Sequence, residues 1–251
     1  MYVSIETEQD LISLQKIGKI VALAREEMVK SAKPGMTTAQ LDEIGKRILD
    51  QYGAVAAPKK EYNFPGTACI SISPVAAHGI PDHTVLKEGD IVNIDVSAEF
   101  DGYYADTGAT LVLQPDSSSW KQRLVECSSR ALLKGLEKAK AGTRLNQIGR
   151  AIQNEARASG FQVIKNLSGH GIGRKLHEAP DSIVNYYEPR DSRLLRAGLV
   201  LAVETFISSG AEEVEEGSDG WALVTPDGSY VAQFEHTIVV TDKAPIILTA
   251  V

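Results

Sequence analysis

Residues 90–107 read DIVNIDVSAEFDGYYADT. The run from Val92 to Ser97 alternates apolar and polar residues, which predicts a half-buried strand. Asp101-Gly102 is a strong signal for a tight hairpin turn, because glycine accepts the positive φ that such a turn needs. A hairpin folded there brings Asp95 and Asp106 together on neighbouring strands. Two such carboxylates disfavour each other's ionised form unless a cation lies between them, so the pattern indicates a metal site. The alternative interpretation is that the aspartates are solvated residues at strand ends.

Composition narrows the class of protein. The chain has 251 residues with 26 basic and 33 acidic side chains, a net charge of −7, which disfavours nucleic acid or an anionic membrane as the main partner. Its two cysteines, Cys69 and Cys127, form no CxxC motif and predict no disulfide framework. We find no signal-peptide pattern at the N-terminus and no long apolar run, so no membrane span is predicted and a cytoplasmic location is expected.

Periodicity and turn signals predict the elements. Amphipathic helices are expected over about 11–32, from Thr37-Thr38 to Gly53, from Ser117-Ser118-Ser119 to about Lys140, and over about 145–159. Strands are expected at 69–72, 199–207 and 230–240, with a hairpin turned at Pro226-Asp227-Gly228 and a loop over 58–66.

The chain also repeats itself. Lys33, Gly35, Gln40, Leu41 and Gly53 recur, at one constant shift, as Lys140, Gly142, Gln147, Ile148 and Gly160. His78-Gly79-Ile80 likewise echoes His170-Gly171-Ile172. We therefore expect an α+β fold in one catalytic domain, 1–251, with two related halves at about 11–113 and 117–245. In this repeat Asp95 corresponds to Glu204, so carboxylates should converge on the pseudo-two-fold axis.

Further ligand candidates follow from this arrangement. The repeat places Glu204 near the aspartates, and alternation puts Gln233, Glu235 and Thr237 on one face of the last strand. His170 lies in the glycine-rich segment GHGIG, which we interpret as a loop that lets an imidazole approach a metal. Together these side chains could hold two divalent ions, which would polarise a carbonyl and activate a water. HExxH, GxSxG and Walker motifs are absent, and the glycine spacing at 169–173 does not fit a nucleotide loop.

The order of these residues resembles that of the methionine aminopeptidases, type I and bacterial-like, within the pita-bread metallopeptidase family. The supporting motifs, spread over nearly the whole chain, are NIDV (93–96), DGYYADT (101–107), GHGIG (169–173), HEAP (177–180) and EHTIVV (235–240). The resemblance implies pseudo-two-fold related halves with a curved antiparallel sheet inside and helices outside. The short spacing between His170 and Glu204 leaves no room for the helical insertion of type II enzymes.

The resemblance also implies roles for individual residues. Metal ligands would be Asp95 on one ion, His170 on the other, Asp106 and Glu235 as bridges, and Glu204. Glu204, His78 and His177 would be the catalytic residues, and the two histidines would also contact substrate. Phe64, Cys69 and Trp221 would form the methionine pocket. The cofactors would be two divalent ions per chain: cobalt, manganese, iron(II) or zinc.

Three positions depart from the family pattern. Thr205 follows Glu204 where proline is usual, which bears on the geometry of that strand. Glu61 and Leu176 stand where aromatic residues are commoner, which bears on the shape of the methionine pocket.

The implied activity is removal of the initiator methionine from nascent proteins and peptides by two-metal hydrolysis. The expected partners are N-terminal methionyl peptides and nascent chains at the ribosome, and the expected state is a monomer. Two alternatives stay open: a proline-specific peptidase of the same fold, and a catalytically dead relative that binds peptides or ribosomes. Proline-specific enzymes usually carry an additional N-terminal domain, and dead relatives would be expected to lose metal ligands.

Overall fold

The structure, a computed structural model, describes residues 5–114 and 119–250. The helices are α1 (Glu8–Ser31), α2 (Thr38–Tyr52), α3 (Ala57–Tyr62), α4 (Trp120–Leu136) and α5 (Asn146–Ala158). The strands are β1 (Val55–Ala56), β2 (Cys69–Ile72), β3 (Val75–Ala77), β4 (Ile91–Phe100), β5 (Tyr103–Val112), β6 (Gln162–Val163), β7 (Ser168–Gly171), β8 (Glu178–Val184), β9 (Val200–Ser208), β10 (Glu215–Glu216), β11 (Leu223–Val224), β12 (Val231–Val239) and β13 (Ile246–Ile247). Within these two ranges, none of the helices has the length and apolar character needed to cross a bilayer.

The first two helices begin at capping boxes. Thr7 accepts a hydrogen bond from the backbone N–H of Asp10, whose carboxylate accepts from the Thr7 backbone, so α1 begins before the predicted residue 11. Thr37 and Gln40 make the same exchange at α2, which ends at Gly53 in the left-handed conformation. The predicted apolar stripe of α1 is fully buried: Leu14, Ile17, Val21, Ala24 and Met28.

Two long antiparallel strand pairs form the centre of the molecule. β4 and β5 turn at Asp101 and Gly102, which have φ values of 56° and 83°, so the predicted hairpin is confirmed. The short strands β1 and β2 pair with the other edge of β4. In the second sheet β9 pairs with β12, and β6 and β7 pair with the other edge of β9. Helix α1 packs on the first pair with α2 against it, and α4 packs on the second pair with α5 against it, which confirms the α+β class.

The two sheets meet where β5 lies beside β12, an interface that we call the seam. Side-chain hydroxyls, in place of a backbone ladder, connect these two strands across the seam. Thr237 Oγ1 accepts from the backbone N–H of Asp106 at 2.9 Å and donates to its carbonyl oxygen at 2.8 Å. Thr110 Oγ1 makes the same exchange with the backbone of Gln233, at 2.9 and 2.6 Å. The seam therefore sets Asp106 beside the strand that carries Glu235.

Three predictions about local structure need correction. The segment 58–66 is not all loop, because Ala57–Tyr62 forms α3, with proline in its first turn and Asn63 in the left-handed conformation at its end. Helix α4 is capped by Ser119 and ends at Leu136, before the predicted Lys140; Ser117 and Ser118 lie outside the described residues. The turn at 226–228 does not join paired strands, since β11 pairs with β3 and β10 whereas β12 pairs with β9 and β13.

The predicted correspondence of the two His-Gly-Ile motifs is also wrong in register. His170 lies opposite Ala202 in the β7–β9 pair. When Asp95 is matched with Glu204, the position equivalent to Ala202 is Asn93, and its partner in the β2–β4 pair is Ser71. The structural counterpart of His170 is thus a serine.

Candidate metal centre

A cavity of about 500 Å³ opens between the two sheets. Its wall contains every site residue predicted from the sequence: Phe64, Cys69, His78, Asp95, Asp106, His170, His177, Glu204, Trp221 and Glu235. The structure therefore gathers in one place residues that are far apart in the chain.

The hairpin supplies two of the acidic groups. Asp106 lies opposite Ser97 and Asp95 lies opposite Gly108, so the two aspartates are diagonal neighbours on β4 and β5. Burial raises the pKa of Asp95 well above its ordinary value, and the Asp106 charge and a hydrogen bond between the two carboxyl groups raise it further. Burial also raises the pKa of Asp106. In the metal-free protein both carboxyls are therefore more easily protonated than a free aspartate, as expected of two adjacent buried carboxyls.

The second sheet supplies two glutamates that face each other directly. Glu204 on β9 is paired with Glu235 on β12. Burial, followed by the charge of Asp106, raises the pKa of Glu204 to about 8 and that of Glu235 well above its ordinary value. Thr205, found where the family pattern has proline, continues β9 without a break, and its hydroxyl lies 2.8 Å from Ser128 Oγ. Strand geometry at Glu204 is thus regular.

His170 lies in strand β7 and not in a loop as predicted. The flanking glycines are explained by close packing: a Cβ at Gly169 would lie 2.4 Å from the Ala202 carbonyl oxygen, and one at Gly171 equally near that of Ala179. His170 Nδ1 lies 2.9 Å from the carbonyl oxygen of Gly171. Since a carbonyl only accepts, Nδ1 carries the proton and Nε2 is free to bind a metal. Burial lowers the pKa of His170 to about 3, so the imidazole is neutral.

These side chains fit a divalent cation. Asp106, His170 and Glu235 are all buried and each offers a ligand atom within 4.8 Å of the others. Among the described residues, few buried polar side-chain atoms lack a hydrogen-bond partner, and two of those are Asp106 Oδ1 and Glu235 Oε1. Orphaned buried carboxylate oxygens are rare in proteins unless an ion or water completes them. A set of carboxylate oxygens and one imidazole suits several divalent metals.

Sequence reasoning missed the amide that orients the glutamates. Gln233, which is 1% exposed, donates through Nε2 to Glu235 Oε2 at 3.1 Å and to Glu204 Oε2 at 3.4 Å. Its Oε1 accepts from Asn93 Nδ2 at 2.8 Å, which fixes which way the amide faces. The strand alternation placed Gln233 on the face of Glu235, and this was the signal that could have identified it.

The two other histidines predicted to belong to the site, His78 and His177, lie at the cavity wall. His78 has a φ of 56°, a left-handed conformation that is uncommon for a residue other than glycine. The ring of His177 lies 4.1 Å from that of His170, centroid to centroid. Burial lowers the pKa of His177, opposed by the negative charge of Asp106.

One side of the cavity is apolar. Phe64 and Trp221 meet edge to face, with ring centroids 5.2 Å apart. Cys69 is buried, and burial raises the pKa of its thiol well above the ordinary value. Leu176 also lines the cavity, whereas Glu61 does not and instead accepts a hydrogen bond from the Tyr104 hydroxyl at 2.5 Å. The acidic residue at position 61 thus leaves the pocket wall apolar.

Comparisons with known proteins agree with this geometry. The model of metallopeptidase family M24 matches residues 13–242. Methionine aminopeptidase 2 of Bacillus subtilis (strain 168) is 57% identical over 246 residues, which cover 98% of each chain. The crystal structure of methionine aminopeptidase from Thermotoga maritima matches with a TM-score of 0.94 at 36% identity, over 100% of both chains. The prolidase from Pyrococcus horikoshii OT3 matches with a TM-score of 0.76 at 21% identity, over 98% of this chain and 63% of that one, a likeness of fold alone. The predicted pita-bread fold is confirmed.

Proposed function

Because the chain belongs to metallopeptidase family M24, we propose that it removes the N-terminal methionine from peptides and newly made proteins. The observation that carries the proposal is the buried cluster of Asp106, His170 and Glu235, which opens into a cavity with one apolar side. Full-length similarity to methionine aminopeptidases supports it. Neither alternative from the sequence is favoured, since the relatives with high identity are methionine aminopeptidases and each of the five expected ligand positions carries a carboxylate or an imidazole.

The ligand set would hold two divalent ions, cobalt, manganese, iron(II) or zinc. Asp95 would bind one ion and His170 the other, Asp106 and Glu235 would bridge them, and Glu204 would complete the set. Bound ions of this kind supply Lewis acidity, which polarises a carbonyl and acidifies water. Glu204 would take the proton that water loses as it attacks the scissile carbonyl carbon. The same carboxyl would return this proton to the leaving amine.

The substrate would lie with its methionine side chain against Phe64, Cys69 and Trp221. A thioether packs well against aromatic edges, and a buried neutral thiol adds no charge to that wall. His177 would donate a hydrogen bond to the scissile carbonyl or its neighbouring amide as charge develops there. His78 would also contact the substrate.

Several finer statements are also part of the proposal. The whole chain, 1–251, would act as one catalytic domain and as a monomer. It would meet its substrates in the cytoplasm, on nascent chains at the ribosome. Small second residues would be preferred if the cavity narrows beyond the scissile bond.

A peptide assay tests the activity. The purified protein is incubated with Met-Ala-Ser and with Ala-Pro-Ala in the presence of cobalt, manganese or iron(II), and the products are identified. We expect free methionine from the first peptide and no cleavage of the second. Cleavage of the proline peptide alone would support the proline-specific alternative, and no cleavage of either would support a binding relative. Asp106→Ala serves as the control for contaminating peptidases.

A further inference from the structure

Helix α3, which sequence patterns did not predict, is attached to the β4–β5 hairpin at the edge of the cavity. Lys60 Nζ lies 3.1 Å from Glu99 Oε2. The Tyr104 hydroxyl donates to Glu61 Oε1 at 2.5 Å. These two contacts hold the last turn of the helix in place, so the side chain that follows Glu61 has a defined position.

That next side chain is Tyr62, and it reaches His177. The Tyr62 hydroxyl lies 2.6 Å from His177 Nδ1, and the two ring centroids are 5.7 Å apart. His177 in turn contacts His170, whose ring centroid is 4.1 Å from that of His177. Three rings thus lead from Tyr62, which is 48% exposed at the rim, to the buried ligand cluster.

We propose that Tyr62 is a positioning residue: its hydroxyl donates to Nδ1 of His177 and holds His177 in the tautomer that carries its proton on Nε2. This inference rests on the proposed function, in which His177 is a hydrogen-bond donor to substrate. Because Tyr62 occupies Nδ1, Nε2 is the nitrogen that remains available to a peptide in the cavity.

The direction of the Tyr62–His177 hydrogen bond decides the tautomer of His177. A neutral imidazole has a single N–H, so the nitrogen that accepts from Tyr62 cannot also be the one that carries the proton. If Tyr62 donates to Nδ1, the proton is on Nε2, and Nε2 can donate to an oxygen that gains negative charge. In the opposite tautomer Nε2 would be an acceptor and would repel that oxygen. Burial raises the pKa of the Tyr62 phenol, so the hydroxyl keeps its proton.

The variant Tyr62→Phe removes the hydroxyl and keeps the ring. Tyr104→Phe is the matched control: it removes a tyrosine hydroxyl from the same helix–hairpin contact, while the Lys60–Glu99 pair still anchors the helix and the Tyr62 and His177 side chains are unchanged. The first measurement is the ¹⁵N chemical shifts of the His177 ring in metal-free protein, which report the tautomer directly. In the wild type and in Tyr104→Phe we expect an unprotonated Nδ1 and a protonated Nε2. In Tyr62→Phe we expect a mixture of the two tautomers.

The second measurement is kinetic, with Met-Ala-Ser as the substrate and metal in excess. Tyr62→Phe should lower kcat roughly three- to tenfold and change KM little, as expected when one neutral hydrogen bond that orients a donor is lost. Tyr62→Phe should have no further effect in a His177→Ala background, because the residue that it positions is gone. Tyr104→Phe should retain the wild-type kcat.

Contrary outcomes are distinct. Unchanged ¹⁵N shifts and kcat in Tyr62→Phe would overturn the proposal, and so would an equal loss of kcat with and without His177. A rise in KM alone would make Tyr62 a peptide-binding surface instead. A wild-type protein that releases no methionine would contradict the proposed function itself, whereas an active wild type with an indistinguishable Tyr62→Phe would contradict only the role of Tyr62.

Discussion

Replacing Gly108 with alanine tests how the carboxylate cluster is held in place. Gly108 lies opposite Asp95 in the hairpin, and its Cβ would stand 2.0 Å from Oε1 and 2.4 Å from Nε2 of Gln233. Its φ is not in the left-handed region, so alanine itself is allowed there. Gln233 is buried and would have to leave its position. The substitution therefore acts on the metal centre through a side chain that is not itself a proposed ligand.

The expected cost follows from what Gln233 would lose. Overpacking of a buried site costs about 1–3 kcal/mol. Each displaced hydrogen bond, to Asn93, Glu235 or Glu204, adds about 1 kcal/mol where nothing replaces it. Replacing a strand glycine by alanine returns about 0.5–1 kcal/mol. If two of the three hydrogen bonds are lost, the net loss is about 2–4 kcal/mol, which for a chain of this size lowers the Tm by roughly 5–15 °C.

Thermal unfolding of the metal-free protein and calorimetric titration with manganese measure the two effects. Gly108→Ala should unfold at a lower temperature than the wild type. It should also bind manganese more weakly, because the displaced Gln233 no longer orients Glu204 and Glu235. Gly135→Ala, on α4 beside Ile152, is a control that should leave manganese affinity unchanged. Adding Gln233→Ala to Gly108→Ala removes the clashing amide and should restore part of the lost stability. Wild-type stability in Gly108→Ala, or no recovery in the double variant, would refute the steric argument.

Three further predictions concern the ligands directly. Asp106→Ala or Glu235→Ala should abolish tight metal binding and turnover, and metal analysis after dialysis checks this; a variant with two metals and a near-normal rate would remove that residue from the site. His170→Ala should lose metal affinity and regain some activity with excess metal, whereas His177→Ala should keep its metals and lose roughly a hundredfold in kcat. Metal titration and kinetics across metal concentration measure both effects. Loss of metal in His177→Ala but not in His170→Ala would mean that the two roles are reversed. The pKa of Glu204 is about 8 in the folded metal-free protein, against 4.5 in the unfolded chain, so the folded state holds this proton more tightly. The contribution of Glu204 to the free energy of unfolding is therefore highest at low pH and falls as pH rises from about 4.5 through 8. Urea midpoints at pH 6 and 8.5 should show the decline, and a flat profile would contradict the raised pKa.

Regular elements could be predicted where a periodic pattern was long enough. Helix α1 shows five apolar positions at helical spacing, and all of them are buried. Helix α3 spans only Ala57–Tyr62, too short for an apolar stripe, so its proline and lysines looked like a loop. The turn at 226–228 was recognised from its residues, but residue type does not say which sheet each flanking strand joins.

The candidate site shows a similar division. Asp95 and Asp106 followed from a local hairpin, whose two-residue turn fixes the register. Glycines beside His170 suggested a loop, yet they are required by the carbonyl groups of neighbouring strands. Contacts such as Gln233 with Asn93, or Tyr62 with His177, join residues more than a hundred positions apart and depend on the assembled sheets.

Metals bound at the proposed site would also stabilise the fold, because their ligands come from both sides of the seam. Asp95 and Asp106 belong to the first sheet, and His170, Glu204 and Glu235 belong to the second. Threonine hydroxyls cross the seam, and an ion held by both ligand sets would be a reversible cross-link between the same two strands. The stabilisation from this cross-link would depend on the concentration of free metal. Each tenfold excess of free metal over the dissociation constant would add about 1.4 kcal/mol to the free energy of unfolding. In a chain whose two cysteines are both unpaired, the metal would take the place of a disulfide, so chelation should weaken the protein first along β5 and β12.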